Sequence, residues 1–181
     1  QLSSEILTRE LGKTLAEEYA GDGILKSAYL KKVPVFIPAF TDSEVGLDVG
    51  TWAMAHEIDR ARSQVGHKGD LAVLTAIQKA CPSFNPYLDL NGYADHVLSA
   101  KRLGIFTIGG GVPRNWAQQV GPYIEICNLR LGLSVKPPRF HYGVRICPEP
   151  DYWGGLSGCT YQEGLSWGKF VTPKDGGRFS E

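Results

Sequence analysis

The stretch GIFTIGGGVPRNW, residues 104–116, decides the fold. Gly104 to Ile108 is a short apolar run bounded by glycine, which predicts a strand. Three consecutive glycines follow it. Pro113 then stands where a helix tolerates proline, in the first turn. A helix is predicted over residues 113–133, with Gly121-Pro122 kinking or splitting it. Residues 140–146 return to strand. Strand, glycine turn, helix, strand is the βαβ order, so the sequence predicts an α/β fold: a Rossmann-like, mainly parallel sheet with helices on both faces. In such sheets ligands sit beyond the carboxyl ends of strands.

Working outward, residues 90–102 read as the helix before this strand. Upstream, Ser3 or Ser4 can cap a helix over residues 4–19, in which Ile6, Leu7, Leu11 and Leu15 recur at helical spacing. A short helix over residues 22–31 precedes the run Val33-Pro34-Val35-Phe36-Ile37-Pro38, read as a buried strand between breakers. It ends at the polar turn Ala39-Phe40-Thr41-Asp42-Ser43-Glu44. Residues 49–65 and 70–80 read as further helices, and the chain beyond Cys147 as loop-rich.

Composition fixes the broad class. The chain has 181 residues, 43% hydrophobic and 21% charged, with 19 basic and 19 acidic side chains. That is an ordinary core-forming balance, of a length that suits one domain. Zero formal charge argues against non-specific nucleic-acid binding. No apolar run approaches the ~18 residues that span a bilayer, and the first residues carry no secretory core, so a cytoplasmic protein is expected. The four cysteines form no C-x-x-C pair and the four histidines no helical zinc motif, so no metal site is expected. The 22 glycines exceed the usual share of about 7%.

Two local features carry chemistry. Gly109-Gly110-Gly111 opening a helix can present bare amides to a phosphate, or can simply be a flexible turn. Asp42 can accept hydrogen bonds from a ribose, or can cap the next helix. In the last third, Trp153, Tyr161 and Trp167 accompany Asp151, Glu163 and Lys169, a composition suited to an organic cation. Lys169 follows Trp167 and Gly168. A lysine against aromatic surface loses its charge more readily, and the neutral amine forms Schiff bases. The plain alternative is a solvated lysine beside a packing tryptophan.

The segment Ser166-Trp167-Gly168-Lys169, preceded by Glu163, resembles the signature of the deoxyhypusine synthase family. The resemblance extends through Gly109-Gly110-Gly111-Val112-Pro113 and Pro38-Ala39-Phe40-Thr41-Asp42-Ser43. Trp153-Gly154-Gly155-Leu156-Ser157-Gly158 resembles the bacterial and archaeal deoxyhypusine synthase-like branch. This resemblance implies an NAD-dependent transfer of an aminobutyl or related alkylamine group from a polyamine, through an imine on Lys169. It implies that Glu163, Trp167 and Asn115 meet the amine, and that Asp42, Gly109, Gly110 and Gly111 meet NAD. Family chains are longer, and the resemblance begins near their middle. Residues 1–181 are therefore expected to be the carboxyl-terminal portion of one NAD-binding domain, inactive alone, lacking an N-terminal half and assembling as a homotetramer.

The sequence departs from the family in three places. Asn115 stands where the family has a catalytic histidine, and Leu47 and Leu156 where it has substrate aspartates. These changes leave the donor open among spermidine, putrescine and agmatine, and the acceptor open between a protein lysine and a small amine. They also keep a second reading open: a non-catalytic paralogue that binds NAD or polyamine and activates a partner subunit. A simple NAD dehydrogenase would explain the glycines but leave Ser166–Lys169 without a role.

Overall fold

A computed structural model describes residues 1–180, without the side chains of residues 151, 156 and 157. The chain divides into two compact units, Gln1–Asp89 and Leu90–Glu181.

The first unit is helical. It holds α1 (Ser4–Glu18), α2 (Ile24–Leu30), α3 (Glu44–Ala55), α4 (Ile58–Val65) and α5 (Asp70–Ile77), and the start of α6 (Pro86–Ser99). The first turn of α1 is heavily capped. Ser3 accepts from the Ile6 amide, and the buried Asp89 carboxylate accepts from the Ser4 and Glu5 amides, both at 3.0 Å. These are donors that a helix start leaves orphaned. The expected helix over residues 49–65 instead begins earlier, at the Ser43 cap, and is broken between Ala55 and Ile58. Ala61, Val73 and Ile77 form a small core between α4 and α5.

Residues 33–38 correct the sequence reading, because they are not a strand. Pro34 and Pro38 have no amide hydrogen to give a ladder. Two of the remaining groups are taken by side chains of α1: Thr8 donates to the Val35 carbonyl at 2.8 Å, and Ser4 accepts from the Ile37 amide at 2.7 Å. The run is an extended segment fastened to a helix. Thr41 and Asp42 therefore follow a short 3-10 turn, Phe40–Asp42, rather than a strand end.

The second unit contains the sheet. β1 (Leu103–Ile108), β2 (Phe140–Ile146) and β3 (Arg178–Ser180) pair in the order β1-β2-β3, every pairing parallel. Between them run α7 (Val112–Gln118), α8 (Val120–Leu131), α9 (Gly155–Gly158) and α10 (Tyr161–Ser166). The α/β class and the βαβ order hold. The long helix splits at Gln119, just ahead of Gly121-Pro122, which places Pro122 in the first turn of α8, where a missing amide hydrogen costs nothing.

The strands alternate with period two, apart from an irregularity at His141, where the register steps from Leu103 opposite Phe140 to Gly104 opposite Tyr142. On one face Phe140 packs with Ala94, Val97, Val120, Tyr161 and Phe170 into the core of the unit. On the other, Phe106, Ile108, Tyr142, Val144 and Ile146 are exposed. Helices on both faces of the sheet are thus not displayed among the described residues.

Candidate functional site

The candidate site lies in the second unit. β1 ends at Ile108, and the Gly109 amide still donates to the Ile146 carbonyl at 2.8 Å. Gly109 and Gly111 then adopt φ of 83° and 78°, a region that strongly favours glycine. A β-carbon at either would meet nothing within 4 Å, so backbone conformation demands glycine here and the space beside the turn is open. Gly111 is the N-cap of α7, whose first turn carries Arg114 and Asn115.

Lys169 reaches this turn from a different direction. Thr160 caps α10 through a closed capping box: its hydroxyl accepts from the Glu163 amide, and the Glu163 carboxylate accepts from the Thr160 amide at 3.1 Å. After α10, the Lys169 amide donates to the Gly164 carbonyl, and the Lys169 carbonyl accepts from the Phe140 amide at 3.0 Å. Phe170 thereby bridges to Phe140 beside β2. A β-carbon on Gly164 would stand 2.3 Å from the Phe170 ring, so only glycine permits this seating.

The side chain of Lys169 is 6% exposed, and its Nζ donates to Asn115 Oδ1 at 2.9 Å. Burial pushes the ammonium below its ordinary pKa; Cys159 pulls it back up, and Arg114 pushes it further down. Cys159 is displaced oppositely. Burial raises its thiol pKa, and a hydrogen bond to Glu163 adds to the rise, against Arg114 and Lys169. Arg114, Cys159, Glu163 and Lys169 thus sense one another. Arg114 is 5% exposed and stacks 5.3 Å from the centre of the Tyr161 ring.

Of the expected residues, the structure brings together Lys169 and Asn115, beside the open turn of Gly109, Gly110 and Gly111. Glu163 shares the neighbourhood through Cys159, exposed and holding the capping box. Trp167 is the C-cap of α10, is 66% exposed, and makes no ring contact among the described residues. The aromatic surface is instead Tyr161, Phe170 and Phe179, with ring centroids 5.0–5.2 Å apart. In the first unit Asp42 is exposed, and the helix cap there is Ser43, which accepts from Gly46 at 3.1 Å. Leu47 is likewise exposed, and the Leu156 side chain lies outside the described residues. Sequence reading missed Arg114, Gln118 and Cys159 as members of the site. The i, i+4 spacing of Arg114 and Gln118 was a visible signal of one shared face.

Among the described residues no cluster of histidine, cysteine and carboxylate could hold a metal ion, and no helix is long and apolar enough to cross a membrane.

The second unit is thus an α/β unit that buries a lysine against an asparagine beside a glycine turn, and comparison supplies the family. The model of deoxyhypusine synthase matches residues 1–177, and the chain belongs to the deoxyhypusine synthase family. It is similar to a probable deoxyhypusine synthase 2 of Methanosarcina acetivorans, 32% identical over 92% of this chain and 39% of that protein. It is similar also to a deoxyhypusine synthase-like protein of Elusimicrobium minutum, 32% identical over 94% of this chain and 38% of that protein. A probable deoxyhypusine synthase 2 of Archaeoglobus fulgidus is 30% identical over 93% of this chain and 48% of its own length. The chain spans less than half the length of these relatives.

Proposed function

We propose that the whole protein is an NAD-dependent alkylamine transferase, deoxyhypusine synthase-like or homospermidine synthase-like, that carries the group from a polyamine as an imine on Lys169. The observation behind this reading is the buried Lys169, its Nζ held by a neutral acceptor and its pKa lowered by burial. A solvated surface lysine would have neither property.

The residues present fit a dinucleotide. Gly109 and Gly111 leave open space beside a glycine-only backbone, and the exposed Asp42 carboxylate carries no cap to occupy it. Gly109, Gly110 and Gly111 in the second unit, and Asp42 in the first, are each proposed to meet NAD. When bound, NAD supplies the acceptance of hydride and its return.

The chain's own residues supply the transfer. Lys169 is a nucleophile only when neutral, and burial with Arg114 nearby favours that form. Its Nζ attacks the carbon of an alkylimine, expels the first amine, and holds the group until an acceptor amine displaces it. Asn115 aims Nζ and takes no proton, since its amide is no base near neutral pH. Glu163 and Trp167 are proposed to meet the amine chain at the exposed rim, aligning it for reaction. The reading includes a homotetramer and, in keeping with four free cysteines, a cytoplasmic location.

The test is chemical trapping in the whole protein with NAD and, separately, spermidine, putrescine and agmatine. Borohydride added during turnover should leave a reduced alkylamine adduct on Lys169, read by peptide mass spectrometry. NAD binding with no adduct from any amine would discard the transferase in favour of a regulatory subunit.

A further inference from the structure

Arg114 is more than its neighbour's electrostatic influence. Its side chain is 5% exposed, yet Nε, Nη1 and Nη2 all lack a hydrogen-bond partner. Gln118, one helical turn on and 4% exposed, has an amide nitrogen in the same condition. Positions i and i+4 lie on one face of α7, so two unsatisfied donor groups are stacked side by side. Native interiors satisfy nearly all buried donors, and an unpaired buried charge is costlier still.

Nothing described nearby provides the missing negative charge. Lys169 spends its hydrogen bond on the neutral Asn115. Arg114 rests on the face of Tyr161, which offers a weak attraction and no acceptor atom in the guanidinium plane. Among the described residues of Leu90–Glu181, no carboxylate is buried. Glu163 is exposed and already accepts from the Thr160 amide. A bare guanidinium fork matches a planar carboxylate or a phosphate, either of which it can grip through two parallel hydrogen bonds.

We infer that Arg114 and Gln118, with Lys169 alongside, form a receptor for an oxyanion carried by a bound ligand, a carboxylate on an amine substrate or a phosphate on a dinucleotide. The inference goes beyond the transferase reading and does not require Lys169 to form an imine. It does bear on substrate class. A wholly cationic amine meets a buried guanidinium here, whereas an amine bearing a carboxylate neutralises it.

Two matched ligand pairs separate the sources. Ornithine differs from putrescine by one carboxylate; nicotinamide mononucleotide differs from nicotinamide riboside by one phosphate. Calorimetry would be run on the whole protein, wild type and as Arg114→Met, Arg114→Lys and Gln118→Leu. The oxyanion-bearing member of one pair should lose about tenfold or more in affinity in Arg114→Met, and less in Arg114→Lys and Gln118→Leu. Its counterpart should be unaffected. Loss confined to ornithine identifies a carboxylate, and loss confined to the mononucleotide a phosphate. Equal affinity of all four ligands for wild type and Arg114→Met would overturn the receptor. Thermal melting supplies a second readout. Removing an uncompensated buried charge should raise the ligand-free melting point in Arg114→Met and abolish the rise on adding ligand. A ligand-free melting point well below wild type would show that the guanidinium is satisfied within the folded protein, and the inference would fail.

Discussion

Residues 40–48 and 109–115 are both polar turns that open a helix, and both are proposed to meet the cofactor, yet they are built in opposite ways. The first is locally self-sufficient. Its 3-10 turn closes on itself, Ser43 caps α3, and Asp42 stands in solvent. The second leans on distant parts of the chain. Gly109 is tied to β2, Arg114 lies over Tyr161, and Asn115 receives Lys169 from 54 residues away. Water weakens charge interactions at the first turn, while burial strengthens them at the second. The first turn offers an exposed carboxylate; the second also changes the chemistry of the lysine it receives.

The largest effect should come from the nucleophile. Lys169→Ala in the whole protein should reduce transfer to background while leaving NAD affinity within about twofold, because the glycine turn is untouched. Turnover close to wild type in this variant would erase the contrast between the two turns. Next comes the glycine that seats the lysine. Gly164→Ala places a methyl 2.3 Å from the Phe170 ring, and overpacking of this kind costs about 1–3 kcal/mol. Chemical denaturation should register that loss, together with a fall in Lys169 reactivity as Phe170 shifts.

The contrast also has a pH signature. Burial lowers the Lys169 pKa in the folded state, so between the folded and unfolded values the unfolded chain binds more protons. The buried ammonium therefore penalises folding below the folded pKa, and the penalty fades as pH rises toward the ordinary lysine range. Lys169→Met removes the penalty along with one hydrogen bond to Asn115. Its melting point relative to wild type should be highest at neutral pH and fall as the solution becomes alkaline. A difference that stays constant with pH would mean that Lys169 titrates like an exposed lysine.

Much of the second unit was legible because its signals are local. β2 was read with its observed bounds, residues 140–146, and β1 with its glycine turn from punctuation by glycine and proline. Residues 33–38 misled for a physical reason: extended backbone has the same apolar composition whether its partner is a strand or, as here, the hydroxyls of Ser4 and Thr8. The lysine was legible through its sequence context, but its partner was not, since pairing with Asn115 depends on where α10 delivers the chain beside β2. Trp167 illustrates the converse. Adjacency in sequence suggested an aromatic wall, but the α10 C-cap is exposed and the rings at the core are Tyr161 and Phe170. Arg114 escaped notice because a charged residue in a helix is normally solvated, and only tertiary packing reveals that this one is not.

The smallest structural effect is expected at the exposed turn, and it separates its two possible uses. If Asp42 merely supported α3, its replacement would cost the ~1 kcal/mol typical of a lost helix cap. The cap belongs to Ser43, however, and substitutions at exposed positions without such a role stay within about 0.5 kcal/mol. Asp42→Asn should therefore leave the denaturation midpoint almost unchanged while weakening NAD binding several-fold, through loss of a charged acceptor. Ser43→Ala provides the matched control, lowering stability by about 1 kcal/mol with little direct effect on the cofactor. Equal affinity for NAD in wild type and Asp42→Asn would remove this turn from the site, leaving cofactor recognition to the glycine turn and the parts of the protein beyond these residues.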